Sequence, residues 1–174
     1  MNRFALTLAA AATAFSFANG AFAGEQFVDE TGFAVSGHDV VAYFSLPQNA
    51  VGQSQPAPVE GYKSITAEHN GATFAFSTEA NRDAFMADPA KFVPQYDGHC
   101  AYGVAKGGKV PGNPTLWRIV DDKLYLNITN NVVGFWEEDI SGNLTKSTGN
   151  WPGLDPKPAS EATIPQWSSL APKG

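Results

Sequence analysis

The stretch from Tyr62 to Phe76 reads YKSITAEHNGATFAF, and it decides the fold class. Asn70-Gly71 is a strong signal for a two-residue hairpin turn, because both residues tolerate the positive φ angles that such turns require. Polar and apolar residues alternate over Tyr62–Glu68, and Ala72–Phe76 is rich in apolar residues. This pattern predicts an antiparallel hairpin with one face against the core.

A second hairpin is expected further along the chain. Asp121-Asp122 separates two apolar stretches, Trp117–Val120 and Lys123–Asn127. Because side chains alternate between the faces of a strand, Leu124 and Leu126 belong on one face.

Three further elements follow from local signals. Thr78 is a good cap for a helix over Glu79–Ala87, which would turn Phe85 and Met86 towards the core. Asp88-Pro89 then opens a second short helical turn, since proline is favoured at the first helical position. The sequence Val40–Phe44 (VVAYF) is β-branched and aromatic and predicts a buried strand.

Val132–Asp139 has the pattern of a short amphipathic helix capped by Asn130 or Asn131. Strands and helices do not alternate in a βαβ rhythm. The chain is therefore expected to be a small single α+β domain with short antiparallel hairpins and a few short helices.

Composition excludes several functions. The chain has 174 residues, which suits one domain, and a net charge of −6, which argues against nucleic acid as a partner. One cysteine excludes an internal disulfide and any zinc site with two or more thiolates. Gly103–Gly108 lacks the spacing of a phosphate-binding loop, so no nucleotide or organic cofactor is expected.

The first 23 residues have the pattern of a signal peptide. Arg3 precedes a largely apolar run, and Ala21-Phe22-Ala23 is a small-x-small cleavage signal before Gly24. The apolar run is short for a membrane anchor, so no membrane span is expected after cleavage. The protein is thus predicted to be periplasmic or secreted.

The rest of the chain divides into three segments. Residues 24–32 are polar and are expected to be flexible, residues 33–152 form the folded domain, and residues 153–174 are a proline-rich tail.

Candidate chemistry concentrates in four residues. Cys100, His38, His69 and His99 all lie beside glycine, asparagine or another turn residue. Thiolate with imidazole suits Cu(I) or Zn(II) better than hard cations. A thiolate beside an imidazolium would also be reactive, which makes Cys100 the candidate nucleophile of a redox protein.

A structural explanation competes with each of these assignments. A lone cysteine is often a small buried apolar residue, and adjacent residues of an extended strand, such as His99 and Cys100, point to opposite faces. Four further residues could join a site but are at least as readily structural: Asp39, Tyr43, Tyr96 and Tyr102. Three tryptophans are expected in the core: Trp117, Trp136 and Trp151.

Several motifs together resemble the exported branch of the YHS-domain proteins. They occur in the family's order and span about residues 33–152, nearly all of the predicted domain. They are GHDVVAYF at 37–44, HNGATFAFS at 69–77, NRDAF at 81–85, DPAKF at 88–92, PQYDGHCAYG at 94–103, KLYLN at 123–127 and NWP at 150–152.

The resemblance implies heavy-metal handling, of copper especially. The expected partner is a metal ion or a metal-donor protein. In the exported branch the position of Cys100 can hold selenocysteine, which implies a chemically used chalcogen. Three hypotheses follow: a periplasmic soft-metal-binding protein with Cys100, His38, His69 and His99 as ligands, a thiol-based redox or peroxide-reactive protein, and a scaffold or binding module with an inert Cys100. A non-enzymatic role is favoured over an oxidoreductase.

Overall fold

A computed structural model describes residues 24–174, so the predicted signal peptide lies outside the described residues. Two antiparallel two-stranded hairpins and five α-helices make up this part of the chain, and the α+β prediction is confirmed. The strands are β1 (Tyr62–His69), β2 (Ala72–Phe76), β3 (Asn113–Val120) and β4 (Lys123–Asn127). The helices are α1 (Glu79–Ala87), α2 (Pro89–Phe92), α3 (Ala101–Ala105), α4 (Asn130–Glu137) and α5 (Ile140–Leu154).

Both hairpins form where the turn signals place them. Asn70 and Gly71 have φ angles of 47° and 75°, which is the left-handed geometry of a tight hairpin turn. Asp121 and Asp122 do the same between β3 and β4, with φ angles of 48° and 55°. Each hairpin has a register irregularity away from its turn, at Tyr62/Thr66 and at Asn113/Trp117.

The core lies between these hairpins and α1. Phe74, Phe76 and Leu124 are fully buried in it, and Leu126 joins them, as the alternation in β4 predicts. A smaller cluster forms around Trp136 beneath α3 and α5.

Helix α1 confirms its prediction at both ends. The Thr78 hydroxyl accepts a hydrogen bond from the Asn81 amide (3.1 Å), which satisfies one of the free amides of the first turn. Phe85 is buried as expected, but Met86 is 63% exposed, so its assignment to the core was wrong. One residue further along a helix turns the side chain by about 100° and carries it off the buried face.

Helix α4 is displaced towards the N-terminus from its predicted range. It begins at Asn130, because the Thr129 hydroxyl accepts from the Val132 amide (3.4 Å) and acts as the cap in place of the two asparagines. Trp136 is buried on it, as predicted.

The strand predicted at Val40–Phe44 is wrong. The chain forms a 3₁₀ turn over Ala42–Ser45 instead. Its cause is the preceding Asp39, whose carboxylate accepts from the amides of Val41 (3.0 Å) and Ala42 (3.2 Å) and bends the chain into a turn.

Helix α5 was missed by the sequence patterns and runs past the predicted domain boundary at residue 152. The Asp139 carboxylate caps it by accepting from the Gly142 amide (2.9 Å). The tail then returns across the domain: Trp167 donates its indole N–H to Ser36 (3.2 Å), and the Lys173 amide bonds to the Gly61 carbonyl (2.8 Å). Within residues 24–174 no helix is both long enough and apolar enough to cross a membrane.

Candidate functional site

Cys100 stands directly before helix α3 and occupies its N-cap position. Its amide donates to the Val110 carbonyl (2.8 Å), and its backbone pairs with Leu126 of β4 in an isolated parallel bridge. These contacts hold the residue between the helix and the second hairpin, where it has no exposed surface.

The thiol has its hydrogen-bonding capacity filled. Sγ accepts from the Gly103 amide (3.4 Å) and donates to Oδ1 of Asn127 (3.5 Å). The same Oδ1 also accepts from the Tyr102 amide (3.2 Å). Burial raises the pKa of Cys100 above its ordinary value, and the nearby backbone amides of Gly103, Ile128 and Tyr102 oppose that rise only in part. Cys100 is therefore a neutral thiol at pH 7, and the thiol form is the weak nucleophile.

His99, the neighbour of Cys100, has both ring nitrogens engaged. Nδ1 donates to the Tyr96 carbonyl (2.9 Å), and Nε2 accepts from the Ser160 amide (3.1 Å), a tautomer assigned from these partners. Burial lowers the pKa of His99 to about 4, against the opposing effect of the Tyr96 carbonyl. His99 is neutral at pH 7, so it supplies no imidazolium to lower the pKa of Cys100.

The other two histidines face different surroundings. His38 Nδ1 bonds to the Val35 carbonyl (3.1 Å), and its ring lies 5.9 Å from that of Trp167. His69 packs edge-on against Phe85, with ring centroids 5.8 Å apart. Burial lowers the pKa of both imidazoles.

The predicted four-residue metal site is not assembled in residues 24–174. No group of three or more histidine, cysteine, aspartate or glutamate side chains in that range is placed to hold a metal ion. Both ring nitrogens of His99 are hydrogen-bonded to backbone groups. The rings of His38 and His69 pack against aromatic neighbours.

Asp39 and Tyr43 serve the fold rather than a site. Besides its turn bonds, the buried Asp39 carboxylate accepts from the Ser77 amide (2.8 Å) and from Asn81 Nδ2 (2.7 Å). Tyr43 donates its hydroxyl to the Pro114 carbonyl (2.9 Å). Burial raises the pKa of Tyr43 well above its ordinary value.

A groove of about 450 Å³ lies between the two terminal segments. Residues 27–30 form one wall, and residues 160–164 with Trp167 form the other. Phe27 and Ile164 are buried, at 5% and 6% exposure, whereas Glu30 and Glu161 are exposed. Three carboxylates and no basic side chain are found among the lining residues of the described chain.

This groove adjoins the His99–Cys100 dipeptide. Ser160 in one wall donates its amide to His99, and Phe27 in the other packs edge-on against the imidazole, with centroids 5.8 Å apart. Sequence reasoning missed the groove because its walls come from opposite ends of the chain. The available signals were the bulky apolar residues Phe27, Ile164 and Trp167 in otherwise polar segments.

No family model, curated protein or solved structure matches this chain.

Proposed function

We propose that this protein is a non-enzymatic binding module that takes an organic cation with an apolar body into the groove between its terminal segments. The observation that carries the proposal is the lining of that groove. Phe27, Ile164 and Trp167 provide an apolar floor, while the carboxylates of Glu30 and Glu161 are exposed at the edge.

Size and charge support this ligand class. A volume of about 450 Å³ falls in the range of about 300–1,000 Å³ that is typical of small-molecule sites. Asp29, the third carboxylate, bonds to Ser36 and Thr31, so it shapes the wall. Glu30 and Glu161 are then left to pair with a positive ligand, and the Trp167 ring offers a face for cation–π contact.

A direct test uses phenethylammonium as the probe and phenylacetate as its anionic counterpart, followed by ¹⁵N chemical-shift mapping. We expect shifts at residues 27–30 and 160–164 with the cation and none with the anion. Trp167→Ala should weaken binding about tenfold, in line with a cation–π contact of about 1–2 kcal/mol. Glu161→Gln should weaken binding less than Trp167→Ala does. The loss of affinity in Glu161→Gln should be larger at low salt than at high salt.

Phe135→Ala is the matched control, since Phe135 is an exposed aromatic residue (52%) away from the groove. It should bind phenethylammonium like the unmodified protein. Equal binding of phenylacetate, or shifts outside the groove alone, would contradict the proposal.

A second candidate is thiol chemistry at Cys100, either as a soft-metal ligand or as a redox group. Although burial raises the pKa of Cys100, the backbone amides of Gly103, Ile128 and Tyr102 partly oppose that rise and would stabilise a thiolate once formed, which favours this candidate. The resemblance to exported YHS-domain proteins, with selenocysteine at this position, points the same way. The full burial of Cys100 opposes it, because the segments that cover the thiol must first open.

Titration with Cu(I) against a competing chelator separates the two candidates. One tightly bound equivalent that is lost in Cys100→Ala supports thiol chemistry. Equal behaviour of the two proteins, with the native thiol slow to alkylate, leaves the groove as the functional site. Extracytoplasmic location belongs to both candidates and rests on the cleavage signal at Ala21–Ala23.

A further inference from the structure

Gly24, the first described residue, is buried against two carboxylates from different parts of the chain. A Cβ atom on Gly24 would collide with Oδ1 of Asp155 and with Oδ2 of Asp97. Real side chains do not approach so closely, so this position accepts only glycine. Both acidic groups therefore lie close to Gly24, on the side where a Cβ atom would stand.

The two carboxylates form no ion pair with a basic side chain in residues 24–174, although the charge of Lys109 acts on both. Asp97 Oδ1 accepts from Gln26 Nε2 (2.9 Å), but Asp97 Oδ2 is buried and has no hydrogen-bond partner in residues 24–174. Burial, and after it the charge of Asp155, raise the pKa of Asp97 to about 6. Two ionised carboxylates at this distance are unfavourable unless one takes up a proton or a cation joins them.

The nearby basic side chain does not fill that role. Lys109 Nζ donates to the backbone carbonyls of Lys157 (2.7 Å) and Asp155 (3.4 Å) rather than to either carboxylate. Glu25 adds a third negative charge beside the pair, and its carboxylate accepts from the Ala159 amide (3.0 Å). His99, which packs nearby, is neutral. The charges facing Gly24 thus leave a surplus of acid.

Cleavage of the signal peptide would supply the missing cation at this place. The signal Ala21-Phe22-Ala23 predicts a cut before Gly24, which leaves a free α-amino group on that residue. We propose that this α-ammonium docks between Asp97 and Asp155 and locks the N-terminal segment onto the domain. The inference does not depend on what the groove binds.

The geometry allows this docking with a small local movement. The nitrogen and the Cβ position are neighbouring tetrahedral substituents of Cα, and the N–Cα bond is about 1.46 Å. Rotation about the Gly24 Cα–C bond therefore carries the free nitrogen from its place towards the point between the two oxygens. In the uncut chain the same rotation would have to carry the whole leader with it.

Docking would also order one wall of the groove. The Phe27 amide donates to the Asp97 carbonyl (2.8 Å), and Gln26 is only 4% exposed, so the segment that follows Gly24 is already held on the same turn. An α-ammonium fixed between Asp97 and Asp155 adds a third attachment. Processing by the signal peptidase would then complete the binding surface.

The first test is the N-terminus of the exported protein, read by intact mass and N-terminal sequencing. The proposal requires that the mature chain begin at Gly24, and any other start overturns it. The second test is the pKa of the Gly24 α-amine, measured by NMR on protein with selectively labelled glycine. We expect it about one unit above its usual range of about 7.7–8.0.

Two variants and one control make this test specific. Asp97→Asn and Asp155→Asn should each lower the α-amine pKa towards its usual range. Asp88→Asn removes an acidic group that makes no cap hydrogen bond and should leave that pKa unchanged. An α-amine with its ordinary pKa in the mature protein, unaffected by either variant, would overturn the proposal. Near-ultraviolet circular dichroism checks that each variant keeps its tertiary packing.

Discussion

Cys100 and Asp97 stand three residues apart, Asp97 within a short turn and Cys100 two residues after its end, and their surroundings differ in kind. Cys100 is fully buried, and its thiol both donates and accepts a hydrogen bond. Asp97 has a buried oxygen with no partner in residues 24–174 and faces a second carboxylate. The thiol carries the more distinctive chemistry, but the carboxylate has the unmet interaction. A buried group with an unsatisfied charge is the stronger indication of something still to bind.

The turn that contains Asp97 explains how one short segment places both residues. Gln95–Gly98 is a 3₁₀ turn in which Tyr96 and Asp97 have φ angles of 59° and 52°, in the left-handed region that non-glycine residues rarely adopt. This backbone lets the Asp97 carbonyl accept from Phe27 and the Tyr96 carbonyl accept from His99. A cost of order 1–3 kcal/mol per strained residue is offset by these contacts.

The largest expected effect comes from removing Asn127, the hydrogen-bond acceptor of the buried Cys100 thiol. Asn127→Leu removes the acceptor that serves both the Cys100 thiol and the half-buried Tyr102 amide, and both donors lose that partner. We expect a loss of about 2–3 kcal/mol in the free energy of unfolding, measured by urea denaturation. Asn131→Leu, on the exposed face of α4, should change it by no more than about 0.5 kcal/mol. Equal effects of the two substitutions would show that the Asn127 network adds nothing.

The parts of the fold that sequence patterns reached are those set by neighbouring residues. Asn70-Gly71 makes a hairpin because its turn geometry is local, and Thr78 starts α1 for the same reason. The same local logic explains the error at Val40–Phe44, where strand propensity was weighed without the carboxylate of Asp39. Helix α5 was not predicted because its glycines and Pro152 give it weak helix propensity. Packing against α3 stabilises it in the fold.

The candidate site was less accessible to sequence patterns because it depends on contacts between distant residues. Sequence patterns pointed to Cys100 and His99 as candidate residues, but their partners Asn127 and Ser160 lie 27 and 61 positions away. The carboxylate pair is likewise formed by Asp97 and Asp155, which share no motif. Sequence spacing can identify residue types with suitable chemistry, and only the fold decides whether their atoms are free to use it.

A smaller effect is expected from removing the thiol itself. Cys100→Ala deletes the N-cap acceptor of α3 and one weak donor, for which we expect a cost of about 1 kcal/mol in the free energy of unfolding. If Cys100 is structural, this variant should also bind phenethylammonium with unchanged affinity in the groove. A loss of groove binding in Cys100→Ala, with the fold intact by circular dichroism, would link the thiol to function and weaken the contrast with Asp97.

The smallest expected effect concerns Asp97, whose contribution to the stability of the fold depends on pH. In a chain that begins at Ala23, the α-ammonium lies one residue before the position that would face the two carboxylates. Asp97 then keeps its raised pKa of about 6. Because that value lies above the ordinary 3.8, the folded state binds the proton more tightly, so stability rises as pH falls from about 7 to 4.

Asp97→Asn in the same extended chain should flatten this dependence, and the chain that begins at Gly24 should show a weaker one, since its α-ammonium offsets the carboxylate charge. Asp97 is partly exposed, so after solvent screening the difference should be no more than about 1 kcal/mol. Thermal unfolding midpoints of the three proteins between pH 4 and 7 measure it. If the chains beginning at Ala23 and Gly24 give parallel curves, the carboxylates do not sense the α-ammonium, and the contrast between Asp97 and Cys100 reduces to burial alone.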